Sequence, residues 1–135
     1  MSDDAKPSRA LHIGLWVAQV LLGVAFGMAG FMKLVSPIEE LARNMAWVYE
    51  ARALVRFIGA AEMLGALGLV LPAAMRIKPW LTPLAALALG VVMLLAMGFH
   101  VTRGELEALP VNLGLGGIAA FIAWGRWKKA PIPPR

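Results

Sequence analysis

LHIGLWVAQVLLGVAFGMAGFM, residues Leu11–Met32, decides what kind of protein this is. It is an apolar run in which Gln19 is the clearest polar interruption. As a helix rising 1.5 Å per residue it reaches ~33 Å, enough to cross a hydrocarbon core of about 30 Å. Three more runs follow. One covers Ala53 to about Leu71 and is interrupted by Arg56 and Glu62. The next is Trp80–Val101, and the last, Leu109–Trp124, is shorter and rich in glycine. Each is expected to be helical, because lipid cannot satisfy an open backbone and no barrel-type alternation is present. The reading is an all-α, polytopic four-transmembrane-helix bundle. A polar tail covers residues 1–10, and helices fall at about 11–33, 53–72, 80–101 and 109–126 within a membrane domain of 11–127. A basic, Pro-rich tail covers 128–135.

Composition agrees. Apolar residues make up 60% and charged residues 16% of 135 residues, against roughly 45–50% and 25% in ordinary soluble domains. Mean hydropathy is +0.73. Disordered chains have the opposite bias, and so small a globule cannot bury that much apolar surface. Cysteine is absent. That excludes disulfides, thiol redox centres, zinc–thiolate sites and cysteine-bound iron–sulfur clusters within the chain. The net charge is +5. A nucleic-acid binder would gather its cations on one face; here they flank apolar runs, as in membrane proteins. No nucleic-acid partner is expected; the partner is the lipid bilayer. The first run is too long for a signal-peptide core and reads as a retained anchor.

Counting Lys and Arg sets the expected orientation. Lys6, Arg9, Arg76, Lys78, Arg126, Lys128, Lys129 and Arg135 share one side. Lys33, Arg43, Arg52, Arg56 and Arg103 share the other, offset there by Glu39, Glu40, Glu50, Glu105 and Glu107. The more basic side should be cytoplasmic, so both termini lie inside. Trp16, Trp80, Trp124 and Trp127 fall near that inner boundary, at headgroup level. In the first outer loop, Ser36-Pro37-Ile38-Glu39 reads as a capping box with proline at the first helical position. Ile38, Leu41, Met45 and Val48 then recur at helical spacing. A short helix from Pro37 to about Glu50 is expected, lying on the outer membrane surface or packed on the bundle.

Small residues should bring the helices together, since lipid supplies no hydrophobic drive between them. Gln19, Gly23, Phe26/Gly27, Gly30 and Lys33 form one stripe, and Gly59, Glu62, Gly65 and Ala66 another. Ala85, Ala86, Ala88 and Gly90 would mark the buried side of the third span, and Gly114, Gly116, Gly117 and Ala120 that of the fourth.

Glu62 is the foremost candidate for chemistry, because an intramembrane carboxylate is a functional hypothesis by default. Lys33, Arg56, His100 and Asn112 all lie near the outer ends of their helices. With Glu62 they would form a polar pocket opening away from the cytoplasm. Glu62 has two readings: a structural lock with Lys33 or Arg56, or a ligand or proton site. Gln19 reads as packing. His12 and His100 lie at opposite membrane faces and cannot share a haem. There is no Glu-x-x-His pair for a di-iron site, no triad around Ser36 and no nucleotide fingerprint. No metal site is expected.

Several stretches together carry a family resemblance. They are Arg56-Phe57-Ile58-Gly59 with Glu62, GALGLVLP (Gly65–Pro72), LTPLAALAL (Leu81–Leu89), and Phe99-His100 with Arg103-Gly104-Glu105. Ala29-Gly30 with Lys33-Leu34, and Gly125-Arg126, fit the same pattern. The chain resembles the DoxX-like family of small four-helix membrane proteins. The resemblance implies a four-span bundle in which Lys33, Glu62, His100 and Arg103 belong to the family pattern. The family name comes from a subunit of a thiosulfate:quinone oxidoreductase, and other relatives assist redox enzymes or membrane-protein assembly. No redox cofactor site is evident in the chain, so within a redox system the resemblance implies a quinone-side or accessory subunit of a bacterial inner membrane rather than the electron carrier. A quinone is the one cofactor it leaves open, with a membrane or redox protein partner and a homo-oligomer as further expectations.

The functional expectation is a non-catalytic accessory module. Its outward-facing pocket would hold a small quinone-like or lipid-like ligand, or a partner's segment. Glu62 would be the internal acid, Lys33 or Arg56 its counter-charge and His100 the hydrogen-bonding rim, with Arg103 and Asn112 beside them. Two alternatives stay open. One is a proton-coupled small-molecule transporter using Glu62. The other is a quinone-linked oxidoreductase subunit with Glu62 and His100 as proton relays, which needs an external electron donor.

Overall fold

The computed structural model describes residues 8–135, and among them no strand forms. The elements are α1 (Arg9–Val35), α2 (Ile38–Ala42), α3 (Arg52–Met75), α4 (Leu81–Thr102) and α5 (Leu109–Trp124). Short 3-10 turns occupy Ala46–Tyr49 and Leu106–Ala108, and a π-turn, Gly125–Lys129, extends α5. Four helices are long and apolar enough to cross a membrane: α1, α3, α4, and α5 with its two flanking turns. They run antiparallel in sequence order. The end where α1 begins and α5 finishes is called the base; residues 36–51 and 103–108 form the loop end.

The polar tail expected at residues 1–10 falls largely on residues 1–7, outside the described residues. Ser8 already caps α1, its Oγ accepting from the Leu11 N–H at 3.0 Å.

Close packing is strongest between α1 and α3. A Cβ on Gly30 would lie 2.7 Å from the Gly59 carbonyl oxygen, so the two backbones touch there. Below this contact Gly23 meets Val70 and Gly27 meets Ala66. The main core sits between the helices, with Leu22, Phe26, Ala66, Leu69, Ala86, Leu89, Met93, Ala119 and Ile122 buried. The outer faces carry exposed Leu21, Phe31, Leu64, Leu94, Leu95 and Leu113, as a lipid-facing surface requires.

The second span does not stop at Pro72: α3 continues to Met75. A proline cannot donate to the carbonyl four residues back, which is that of Gly68. Thr82 of α4 supplies the missing donor, its Oγ1 bonding the Gly68 carbonyl at 3.0 Å. Helix-breaking residues are tolerated in spans when a neighbouring hydroxyl re-satisfies the freed group.

Three expectations about elements are corrected. The capping box at Ser36 does not form; Ser36 ends α1, and Pro37 is itself the cap of α2, with no side-chain bond. The helix expected from Pro37 to Glu50 breaks after Ala42 and resumes as a 3-10 turn. Ile38, Leu41 and Val48 are buried with Val55 of α3, so the loop is packed on the bundle. Finally, Ala88 of α4 and Gly114, Gly117 and Ala120 of α5 are exposed. Both helices are apolar all round, so their small residues could not by themselves say which face is inside.

Candidate functional site

The site begins at the Gly30–Gly59 contact. On a helix, residues i and i+3 share a face. Lys33 and Glu62 each stand three residues after one of the touching glycines. Because the helices are antiparallel, the two side chains start on either side of the contact, Lys33 Cβ over Gly59 and Glu62 Cβ over Gly30, and they reach across it: Lys33 Nζ donates to Glu62 Oε1 at 2.8 Å. Glu62 is 4% exposed. A carboxylate so deep in an apolar bundle needs a cation, and Lys33 is that cation.

Arg56 does not serve as a counter-charge to Glu62. Its Nη1 donates to the carbonyls of Lys33 and Ser36, both at 2.8 Å. It thereby caps the last turn of α1, where orphan carbonyls and the negative end of the helix dipole favour a guanidinium. Arg56 supports the site by fixing the end of the helix that carries Lys33.

His100 is held from the other side. The α4 terminus is a Schellman turn: Gly104 adopts φ +72°, the Glu105 N–H donates to the His100 carbonyl at 2.9 Å, and the Gly104 N–H donates to the Val101 carbonyl at 3.1 Å. This fold-back brings Glu105 over the imidazole, with Nδ1 and Oε1 3.0 Å apart. A carboxylate only accepts, so Nδ1 carries the proton. Hydrogen bonding to His100, more than the charge of Arg103, holds the Glu105 carboxyl below the ordinary carboxylate range, and desolvation opposes both. Arg103 lies 3.5 Å from the same carboxylate oxygen and stacks over the Phe99 ring at 5.4 Å. It orders this turn and does not line the pocket.

A cavity of about 420 Å³ lies between these groups. Lys33, Glu62, His100 and Asn112 supply its polar atoms; Phe57, Ile58 and Ala61 of α3 and Val92, Leu95 and Ala96 of α4 are among its apolar walls. Asn112 comes from α5, and its amide nitrogen is buried with no hydrogen-bond partner. Trp47, from the packed loop, lines the cavity and meets Phe99 edge to face at 5.2 Å between ring centroids. Of the six candidate residues, four line one cavity, Arg56 braces it and Arg103 stands outside. Sequence reading missed Trp47 and Glu105. The cue for Glu105 was present, as a glycine just past a helix end turns the next residue back.

A second polar cluster occupies the base. Arg126 is 2% exposed. Its Nε donates to Gln19 Oε1 at 2.6 Å and its Nη1 to His12 Nδ1 at 3.1 Å and the Ala130 carbonyl at 2.9 Å. Gln19 in turn donates to the Leu69 carbonyl at 2.7 Å. Among the described residues no partner of the guanidinium is a carboxylate, and the cluster ties α5 to α1 and α3. Another hollow, about 460 Å³ between α1 and α5, is walled by apolar and small residues such as Gly14, Leu21 and Phe121. Among the described residues no group of His, Asp or Glu could hold a metal.

No curated protein and no solved structure matches the chain. The DoxX-like family model matches residues 17–122. That stretch contains all four apolar helices in part or whole, the packed loop and all four polar residues of the cavity, and it stops short of Arg126. With the four spans, the glycine contact and the match all in place, the chain belongs to the DoxX-like family, and it is an integral, multi-pass membrane protein.

Proposed function

We propose that this protein is a non-catalytic binding module of the cell membrane, an accessory to a membrane redox or assembly system, that holds a small quinone-like or lipid-like molecule in the cavity around Glu62. The observation that carries this reading is the convergence of Lys33, Glu62, His100 and Asn112, from four different helices, on one apolar-walled space of about 420 Å³. Pockets for small molecules are mostly apolar with a few converging polar groups. The buried amide nitrogen of Asn112 has no partner among the described residues, and a buried orphan donor is costly unless something else satisfies it.

These groups fit a quinone-like ligand. Lys33 and Asn112 offer donors to ring carbonyl oxygens, and the walls accept a ring and the start of a tail. A quinone would supply the electron chemistry when bound; the chain's own residues bind and orient it. Charge supports the orientation in which the base is cytoplasmic and the cavity lies toward the outer face of a bacterial inner membrane. Among the described residues the base carries Arg9, Arg76, Lys78, Arg126, Lys128, Lys129 and Arg135 and no acid.

Native mass spectrometry of the protein purified from its own membranes tests the reading, with an absorbance spectrum beside it. A stoichiometric small adduct is expected from the wild type and is expected to be lost from Asn112→Leu. The same substitution removes an unsatisfied group, so stability should hold or rise by about 1 kcal/mol. Wild-type protein that repeatedly yields no adduct from native membranes would count against the proposal.

A further inference from the structure

We propose that the Lys33–Glu62 pair makes the cavity selective for amphiphiles with an uncharged head, and that these enter sideways from the bilayer between α3 and α4. The inference rests on the cavity being a ligand site, as argued above, and adds what kind of ligand it admits and by which route.

The route follows from the walls. Phe57 of α3 and Leu95 of α4 line the cavity, yet they are 70% and 69% exposed. Both belong to spans, so their exposed faces look into acyl chains. The cavity is therefore open along the α3–α4 seam within the apolar belt. On the loop side Trp47 and Phe99 close over it at 5.2 Å between centroids. A ligand whose tail stays in lipid reaches the polar atoms without crossing water. A charged head entering this way must first leave the headgroup layer for hydrocarbon, which is costly.

The selectivity follows from the polar atoms. The pair places one negative and one positive charge 2.8 Å apart at the cavity wall, with no net charge. An anionic head that gained from Lys33 would meet Glu62 at nearly the same distance, and a cationic head would meet the reverse, so neither ion gains. Hydrogen-bonding capacity, in contrast, is left over. Lys33 has further N–H donors beyond the one given to Glu62. Glu62 Oε2 has no hydrogen-bond partner among the described residues, and neither has the Asn112 amide nitrogen. His100, with Nδ1 engaged by Glu105, leaves Nε2 as a further hydrogen-bonding atom. A head that both donates and accepts while carrying no charge, such as a hydroxyl or hydroxyl-plus-carbonyl group, can donate to the carboxylate and accept from Lys33 or Asn112.

The test uses full-length protein in a non-ionic detergent and three tail-matched probes: dodecanol, dodecanoate and dodecylammonium, at equal mole fraction in the micelle. Native mass spectrometry reads the adducts. Wild type is expected to retain dodecanol at least about tenfold over either ion. Glu62→Gln keeps an acceptor for Lys33 but leaves the cation uncompensated, so retention should shift about tenfold toward dodecanoate. Lys33→Gln should shift it toward dodecylammonium. Equal retention of the three probes by wild type, or variants whose preferences do not move, would overturn the selectivity while leaving the cavity a ligand site. Retention of none by wild type would overturn the ligand site itself. So would a dodecanol adduct unchanged by Ala96→Phe, which fills the cavity wall, because the binding would then lie elsewhere.

Discussion

Lys33 and Glu62 hold each other in place, and neither is tolerable alone. Removing one partner of a buried pair leaves an uncompensated charge, whereas replacing both with apolar groups can be nearly neutral. Lys33→Met should therefore cost about 3 kcal/mol in detergent unfolding, and the double variant Lys33→Met/Glu62→Leu should recover most of it. A double variant no more stable than the single one would show that the pair is not what the site rests on. At the rim, Glu105 gives a pH signature. Its carboxyl is held below the ordinary range, first by its hydrogen bond with His100 and then by the Arg103 charge. A depressed folded value means that this stabilisation is complete above the unfolded carboxylate value of about 4.3 and is lost as pH falls through the lower folded one. Amide exchange in residues 103–108 should quicken over that acid window in wild type, and Glu105→Gln should abolish the pH dependence. Glu62 and two candidate counter-charges were legible in the sequence, but the choice between them was not. Lys33 and Arg56 were equally good counter-charges on paper; the end of α1 took Arg56 as its cap.

Among the elements, α1 and α3 meet backbone to backbone. A methyl on Gly30 would stand 2.7 Å from a carbonyl oxygen and 2.8 Å from a backbone nitrogen of α3, and backbone cannot swing aside. Gly30→Ala should cost roughly 1–3 kcal/mol and also part Lys33 from Glu62. Gly117→Ala has nothing within 4 Å of the new carbon and should be neutral or stabilising by up to about 1 kcal/mol. Thermal unfolding of the two variants side by side checks the contrast; equal losses would refute it. The sequence distinguished these glycines only where polar residues stood beside them. In α1 and α3 the small stripe includes Gln19, Lys33 and Glu62, which cannot face lipid, so the buried side was legible. In α5 the one polar residue, Asn112, stands a turn before Gly116 alone, and Gly114 and Gly117, with apolar neighbours, turned out to face outward. Pro72 misled in the other direction. A lone helix would be expected to end there, but α4 brings Thr82 to the freed carbonyl.

Over the whole molecule, the weakly packed seam is between α1 and α5, and it is closed at the base by polar groups. Arg126 spans it to Gln19 and His12 and holds the first residue past the π-turn through the Ala130 carbonyl. Arg76 continues the tie, its Nε donating to the Pro133 carbonyl at 2.9 Å. Arg126→Met should cost about 1–3 kcal/mol, since it strands buried acceptors, and should speed amide exchange mainly in residues 119–130. Lys128→Met, on an exposed neighbour, should lie within about 0.5 kcal/mol of wild type. Unchanged exchange in the Arg126 variant would mean that packing alone closes the seam. The sequence by itself determined that there are four spans, that they alternate in direction, and that cations gather at the base. Membrane thickness and the cost of moving charge into oil act on each segment regardless of its neighbours. Only the tertiary structure decided that Lys33 pairs with Glu62, that Glu105 reaches His100, and that Arg126 is buried against a glutamine more than a hundred residues earlier. Such pairings depend on how each helix is rotated about its axis, and in helices that are apolar on every side that rotation is set by backbone contacts between helices.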